Sequence, residues 1–299
     1  MLSITEFMNE FIAESRGILD IDPDGPFEIE TGSVTKAQRG ELTGIRFLKQ
    51  GSSLAPTLYI EDLYAYYADG HPVEEVACDA VATIKKSFSI DLPFSEDDMD
   101  ISEMKDDMRP RLLSKERNRA IAKKVPHMDV GGGLMMIADV VRGDYRAMIT
   151  KEILSGTGIS EKELFKIALG NLSKDDAVLY ELAEVVDAQT EGKADFLKNE
   201  RTVKDMDEVF LLSNKDMFWG AAALFYPGVI DRLHELMGDF YVIPASVHEL
   251  LVLSVSADFD PKNVIGVVRT ANRSVVRGND ILSDDIYVCE SDKLKRVAC

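Results

Sequence analysis

The segment FYVIPASVHELLVLSV, residues 240–255, gives the clearest indication of the fold class. It contains two runs rich in β-branched and large apolar residues, Phe240–Ile243 and Leu250–Val255. A break that begins with Pro244 and ends with the polar pair His248-Glu249 separates the two runs. Short apolar runs bounded in this way are typical of strands in a buried sheet. The stretch therefore predicts two consecutive strands.

Helical segments flank these strands on the N-terminal side. Residues 209–212 predict a strand, after which Ser213 or Asn214 is expected to cap an apolar helix that contains Trp219. Pro227 interrupts this helix, and a second helical segment ends at Gly238.

The C-terminal side repeats the alternation. Asp260 and Pro261 have the residue types of an N-cap and a first-turn proline, so they predict a helix to about Arg273. Ile286–Cys289 predicts a final inner strand. The order β-α-β-β-α-β predicts a C-terminal layer in which helices pack on the sheet, and hence an α+β fold class.

The N-terminal part predicts a helix followed by a small antiparallel sheet. Ser3 and Glu6 form a capping box before an amphipathic run. Residues 27–31 and 41–48 predict a hairpin, and Thr57–Ile60 a third strand. Apolar residues at helical spacing from Val73 to Phe88 predict a long amphipathic helix.

A reversal of charge marks the expected domain boundary. Residues 91–107 hold eight acids and one lysine, whereas residues 109–124 hold seven basic residues and one acid. The first run reads as a linker or helix start and the second as a helix around residues 114–124. We therefore expect α+β regions at 1–108 and 109–299, or one continuous fold. Beyond the boundary, 134–141 and 145–150 predict strands, and 175–205 a polar helix.

The composition excludes several classes of protein. The net charge of −19 disfavours general nucleic-acid binding and anionic membranes. It fits a soluble protein, a partner for a basic surface, or an acidic nucleic-acid mimic. The three cysteines and four histidines form no metal-binding or disulfide pattern, so we expect neither metal nor cofactor. With no signal peptide and no apolar run long enough to span a bilayer, the expected location is the cytoplasm.

The best candidate site is an anion site near the C-terminus. Arg269, Asn272 and Arg273 lie three and four residues apart, hence on one helical face. Two guanidiniums on one face can hold a carboxylate or phosphate in forked hydrogen bonds. In the alternative interpretation these arginines pair with Asp280, Asp284 and Asp285.

Four segments resemble an uncharacterised family of Firmicutes proteins, catalogued as a domain of unknown function. The resemblance implies membership and one folded unit across the charge boundary, but no activity. It is carried by Asn214–Gly228, Phe240–Glu249, the Arg269 and Asn272 pair, and Ile281–Tyr287, with weaker likeness at 112–118 and 125–127.

Three functional hypotheses remain open. The first is a non-enzymatic binding or interaction protein, whose partner is an unknown protein or a small anionic ligand. The second is a hydrolase-like enzyme centred on His248 and Arg269, with Asn214, Glu249 and Asn272 beside them. The third is the nucleic-acid mimic, for which charge is the argument.

Overall fold

The structure is a computed structural model that describes residues 1–20, 27–49, 56–88, 103–143, 145–187, 194–198, 208–255 and 258–297. The chain divides into two compact units, residues 1–99 and residues 100–299. The predicted α+β class is confirmed in both. None of the described helices has the length and apolar character needed to cross a bilayer.

The first unit is a three-stranded antiparallel sheet with three helices. Its long helix begins with the predicted capping box, since the Ser3 amide donates to Glu6 Oε2 (2.8 Å) and the Glu6 amide to Ser3 Oγ (3.3 Å). Phe7 and Phe11 of this helix are fully buried, as are Ile45 and Phe47 of the sheet. The elements are α1 Ile4–Asp20, β1 Phe27–Lys36, β2 Gly40–Lys49, β3 Thr57–Tyr59, α2 Ile60–Ala68 and α3 Val73–Phe88, with strand order β1-β2-β3.

The second unit is a large mixed sheet with helices packed on it. Its strands are β4 Met108–Ser114, β5 Met128–Gly131, β6 Leu134–Arg142, β7 Tyr145–Met148, β8 Ala177–Glu181, β9 Phe210–Asn214, β10 Phe240–Pro244, β11 Leu250–Ser254, β12 Tyr287–Glu290 and β13 Lys293–Arg296. Its helices are α4 Arg119–Lys124, α5 Lys151–Ser155, α6 Glu161–Gly170, α7 Leu182–Val186, α8 Val229–Met237 and α9 Pro261–Ser274, with 3₁₀ segments at Lys105–Asp107, Lys174–Asp176 and Gly220–Phe225.

The stretch 240–255 lies inside this sheet, as predicted. β10 and β11 pair antiparallel from Phe240 opposite Ser254 to Pro244 opposite Leu250. The order of the sheet is β4-β6-β5-β13-β12-β10-β11-β9-β8, and β7 pairs with the end of β6 on the edge opposite β4. Both β4 and β9 pack against the 3₁₀ segment Gly220–Phe225, whose Ala221–Ala223 are fully buried. Two strands that stand far apart in the sheet order thus meet the same segment.

Two predicted elements differ from the structure. Residues 177–181 form strand β8, paired with β9, where a polar helix was expected. The basic run begins as strand β4, and its helix covers only Arg119–Lys124. The predicted linker at 91–107 falls largely outside the described residues, as does much of the predicted helix beyond residue 187.

The predicted cap before Trp219 is also wrong. Ser213 and Asn214 end strand β9, and the residues that follow turn before the 3₁₀ segment begins at Gly220. Trp219 is half-buried and packs against the edge of the core. The Arg111 guanidinium on β4 also contacts its ring. The alanine run Ala221–Ala223 is fully buried instead.

Candidate functional site

A strained loop, Asn214–Gly220, organises the first candidate site. The Asn214 side chain closes the loop, since Oδ1 accepts from the Phe218 amide (3.1 Å) and Nδ2 donates to the Phe218 carbonyl (2.9 Å). Met217 and Trp219 both adopt left-handed backbone conformations, with φ of 52° and 54°. Non-glycine residues in this region cost of order 1 kcal/mol each, so surrounding contacts must hold them there.

Gly220 allows the loop to return close to the sheet. A Cβ atom at this position would overlap Ser213 Oγ and lie 2.5 Å from the His248 carbonyl oxygen and 2.6 Å from the Asn214 amide nitrogen. Two of these three atoms belong to the backbone and cannot rotate away. Glycine is therefore required here by close approach.

The side chain of His248 binds the backbone of the loop. Its Nδ1 accepts a hydrogen bond from the Trp219 amide (3.1 Å), which places the ring proton on Nε2, 3.4 Å from Asp280 Oδ1. The Ser246 hydroxyl donates to Glu249 Oε1 (2.8 Å) and accepts from the His248 amide (2.9 Å). The serine proton thus points to the glutamate, and the imidazole supports the backbone of Trp219.

A cavity of about 280 Å³ opens beside this loop. Its lining residues come from β4, β6 and β7, from the loop, and from the 3₁₀ segment before β8. Tyr226 is a buried residue of the lining. Burial raises the pKa of its phenol, although a hydrogen bond with Asn214 acts to lower that pKa. The lining residues are Arg109, Pro110, Val141, Arg146, Asn171, Leu172, Asp176, Asn214, Lys215, Asp216, Phe218, Trp219 and Tyr226.

Guanidiniums cover the aromatic rings of the loop. Arg146 lies 4.4 Å from the centre of the Phe218 ring, and Arg111 lies 4.1 Å from that of Trp219. Arg111 also forms a 2.9 Å ion pair with Asp139, which is 2% exposed. Asp139 Oδ2 has no hydrogen-bond partner among the described residues, and burial raises the pKa of this carboxyl despite the arginine.

A second cavity, of about 460 Å³, lies at the end of α9. Arg269, Asn272 and Arg273 line it as one helical face, and Arg117 adds a third guanidinium from the segment between β4 and α4. Asn272 is buried, with Nδ2 donating to the Ser283 carbonyl (3.0 Å) and to Asp284 Oδ1 (2.8 Å). We call this the three-arginine cavity.

The acids near this cavity have partners of their own. Asp280 faces His248, Asp284 lies 3.7 Å from Arg117, and Asp285 lies 3.1 Å from Arg296. Within the described ranges, Arg269 and Arg273 have no ion-pair partner, and both side chains are exposed. Asp280 and Asp285 thus have partners outside the cavity, whereas Asp284 itself lines the cavity beside Arg117 and Asn272.

The structure separates the six predicted site residues. Asn214 lines the first cavity, His248 and Glu249 lie behind its loop, and Arg269, Asn272 and Arg273 line the second cavity. Arg109, Arg146 and Arg117 were missed as site residues, although the basic run at 109–124 was a signal for two of them. In the described part of the chain, His, Cys, Asp and Glu side chains form no group of three that could hold a metal ion.

The chain belongs to a family of unknown function, DUF5688, whose model matches residues 4–291. The match covers both compact units, and it confirms the part of the prediction that assigned the chain to a domain of unknown function. No curated protein and no solved structure is detectably similar to the chain.

Proposed function

We propose that this chain is a cytosolic, non-enzymatic binding protein whose three-arginine cavity takes a small anion with phosphate or carboxylate chemistry. The observation that supports this most directly is the environment of Arg269 and Arg273. Neither has an ion-pair partner among the described residues, although three aspartates follow within a dozen positions of Arg273 and each contacts another group.

The overall charge limits the size of the ligand. A net charge of −19 repels a polyanion at long range. At physiological ionic strength that field is screened over about 8 Å, whereas a guanidinium in contact with an oxyanion is not. The cavity therefore favours a compact anion over DNA or RNA.

Asn272 is a buried and well-held residue of the cavity lining. It is buried on the arginine face of α9, and its amide is held by the two hydrogen bonds to residues 283 and 284. An ordered backbone between the arginines lowers the entropy that binding would otherwise cost.

Isothermal titration with inorganic phosphate, sulfate and acetate tests the proposal. We expect phosphate to bind, with Arg269→Gln and Arg273→Gln each weakening it by about tenfold, since a charge-assisted hydrogen bond contributes about 1.5–3 kcal/mol. Arg269→Lys should recover part of the loss because it keeps charge but not the fork.

Arg277→Gln is the matched control, because Arg277 is an exposed neighbour that does not line the cavity. Equal loss in Arg277→Gln and Arg269→Gln would mean that general charge governs binding. Absence of phosphate binding up to about 10 mM, or salt-sensitive binding to random duplex DNA, would contradict the proposal.

A further inference from the structure

The three-arginine cavity contains hydrogen-bond acceptors as well as cationic donors. Its donors are the guanidiniums of Arg117, Arg269 and Arg273. Its acceptors belong to Asn272 and Asp284, which line the same cavity. A fully ionised oxyanion offers acceptors alone, so it complements the arginines and brings no donor to the other two side chains. The acceptors therefore restrict the kind of anion that the cavity can take.

The buried amide of Asn272 has an oxygen without a partner. Nδ2 donates to the Ser283 carbonyl (3.0 Å) and to Asp284 Oδ1 (2.8 Å), and because both partners are acceptors, the orientation of the amide is fixed. The residue is 4% exposed, yet its Oδ1 accepts no hydrogen bond from the described residues. This oxygen is not sealed inside the protein, and the cavity is the open space that Asn272 lines. A ligand with a donor group would satisfy it.

Asp284 contributes a carboxylate to the same lining. Its Oδ1 accepts from Asn272, and its Oδ2 lies 3.7 Å from Arg117 NH1. These contacts hold the carboxylate in place, while its side chain remains 47% exposed. An ionised carboxylate has about four acceptor positions, so it keeps the capacity to accept from a ligand. The same charge opposes an anion that brings no proton.

The charge of the lining suits a doubly charged anion. Three guanidiniums and one carboxylate leave an excess of two positive charges. At about pH 8, hydrogen phosphate and sulfate share a double negative charge and a tetrahedral shape, but only hydrogen phosphate has an O–H group. Charge and size therefore do not separate these two anions, whereas the acceptors of the lining do.

We propose that the three-arginine cavity selects hydrogen phosphate over fully ionised oxyanions, and that Asp284 is the residue that determines this selectivity. The inference rests on the proposed function, since it requires that the cavity bind a small anion. The O–H group of the phosphate donates to the Asp284 carboxylate or to Asn272 Oδ1, and its other oxygens accept from the guanidiniums. A proton on the ligand thus turns a repulsive contact into a hydrogen bond.

Isothermal titration at about pH 8 with three anions tests the selectivity on the unaltered protein. Hydrogen phosphate has an O–H group, whereas sulfate and methyl phosphate have the same charge and no such group. We expect phosphate to bind at least about tenfold more tightly than either, since an acceptor without a donor and a contact between like charges both cost affinity. The methyl phosphate titration also distinguishes free phosphate from a phosphate ester as the ligand.

Asp284→Asn assigns the selectivity to one side chain. Asparagine keeps an oxygen that can accept from Asn272, and its NH2 group can donate to a sulfate oxygen. The ratio of phosphate to sulfate affinity should therefore fall by about fivefold or more, because sulfate binds more tightly. Asp285→Asn is the matched control, since it removes the same charge from the adjacent residue, which pairs with Arg296 and does not line the cavity. This control should leave the ratio unchanged. Far-UV circular dichroism establishes that each variant is folded.

Three results would overturn the inference: equal affinity for phosphate and sulfate, methyl phosphate binding as tightly as phosphate, or equal changes of the ratio in Asp284→Asn and Asp285→Asn. In each of these cases the proposed function still stands if Arg269→Gln weakens binding, because the cavity then takes an anion without this selectivity. Absence of binding by every anion up to about 10 mM contradicts the inference and the proposed function together.

Discussion

Substitution of Gly220 by alanine tests whether close packing of the Asn214–Gly220 loop against the sheet holds the second unit together. The φ angle of Gly220 is outside the left-handed region, so its backbone conformation is open to alanine. Where a glycine has such a conformation and free space, alanine stabilises by about 0.4–1 kcal/mol through the unfolded chain. At Gly220 the space is absent.

The expected destabilisation follows from the atoms that the new methyl group meets. It would lie 2.5 Å from the His248 carbonyl oxygen and 2.6 Å from the Asn214 amide nitrogen, and would overlap Ser213 Oγ. Overpacking of this kind costs about 1–3 kcal/mol. The Ser213 hydroxyl now donates to the His248 carbonyl (2.7 Å), and losing that bond adds about 1 kcal/mol. We expect a net loss of about 2–3 kcal/mol after the gain from the unfolded state.

Urea unfolding followed by tryptophan fluorescence measures this loss for the second unit alone, because Trp219 is the single tryptophan. Gly266→Ala is the matched control: Gly266 lies inside α9, and an added Cβ atom there would meet no other heavy atom within 4 Å. Alanine at this helical position should stabilise by up to about 1 kcal/mol. If Gly220→Ala shifts the midpoint no more than Gly266→Ala, the loop does not pack as described.

Two further predictions concern buried groups. Burial raises the pKa of Asp139 above 3.8, so its contribution to stability is present below that pH and is lost as the pH rises through the folded-state pKa. Urea midpoints should therefore show wild type losing stability relative to Asp139→Asn as the pH rises, and the opposite trend would mean that Arg111 keeps the carboxylate ionised. Burial also raises the pKa of Cys289 to about 11, so iodoacetamide at pH 8 should label the exposed Cys78 and spare Cys289, as read by peptide mass spectrometry. Labelling of Cys289 in the native protein at the rate seen in urea would refute its burial.

The elements predicted correctly from the sequence are those whose signals are local. The capping box at Ser3 and Glu6 and the apolar stripe of α3 depend on residues three or four apart, and the structure reproduces both. The face of Arg269, Asn272 and Arg273 was predictable for the same reason. Helical spacing is a property of the segment itself, so no distant contact was needed to find it.

Strand β8 was missed because its partner lies elsewhere in the chain. Residues 177–181 are short and surrounded by polar sequence, and what makes them a strand is pairing with β9, where Ala177 stands opposite Asn214. Tertiary pairing overrides local pattern in such segments. Arg117 was missed as a site residue in the same way, because only the fold brings it to the arginine face of α9.

The basic run at 109–124 shows how charge in the sequence and charge in the structure differ. Two of its residues lie beside acids, since Lys115 pairs with Asp129 and Arg117 lies near Asp284. The same run supplies Arg109 to one cavity and Arg117 to the other. Because the strand alternates its side chains and the chain then turns into α4, neighbours in sequence reach different sites. Although the net charge of the chain is −19, Arg109 and Arg117 contribute local positive charge to the two cavities. The net charge alone does not predict such local charge.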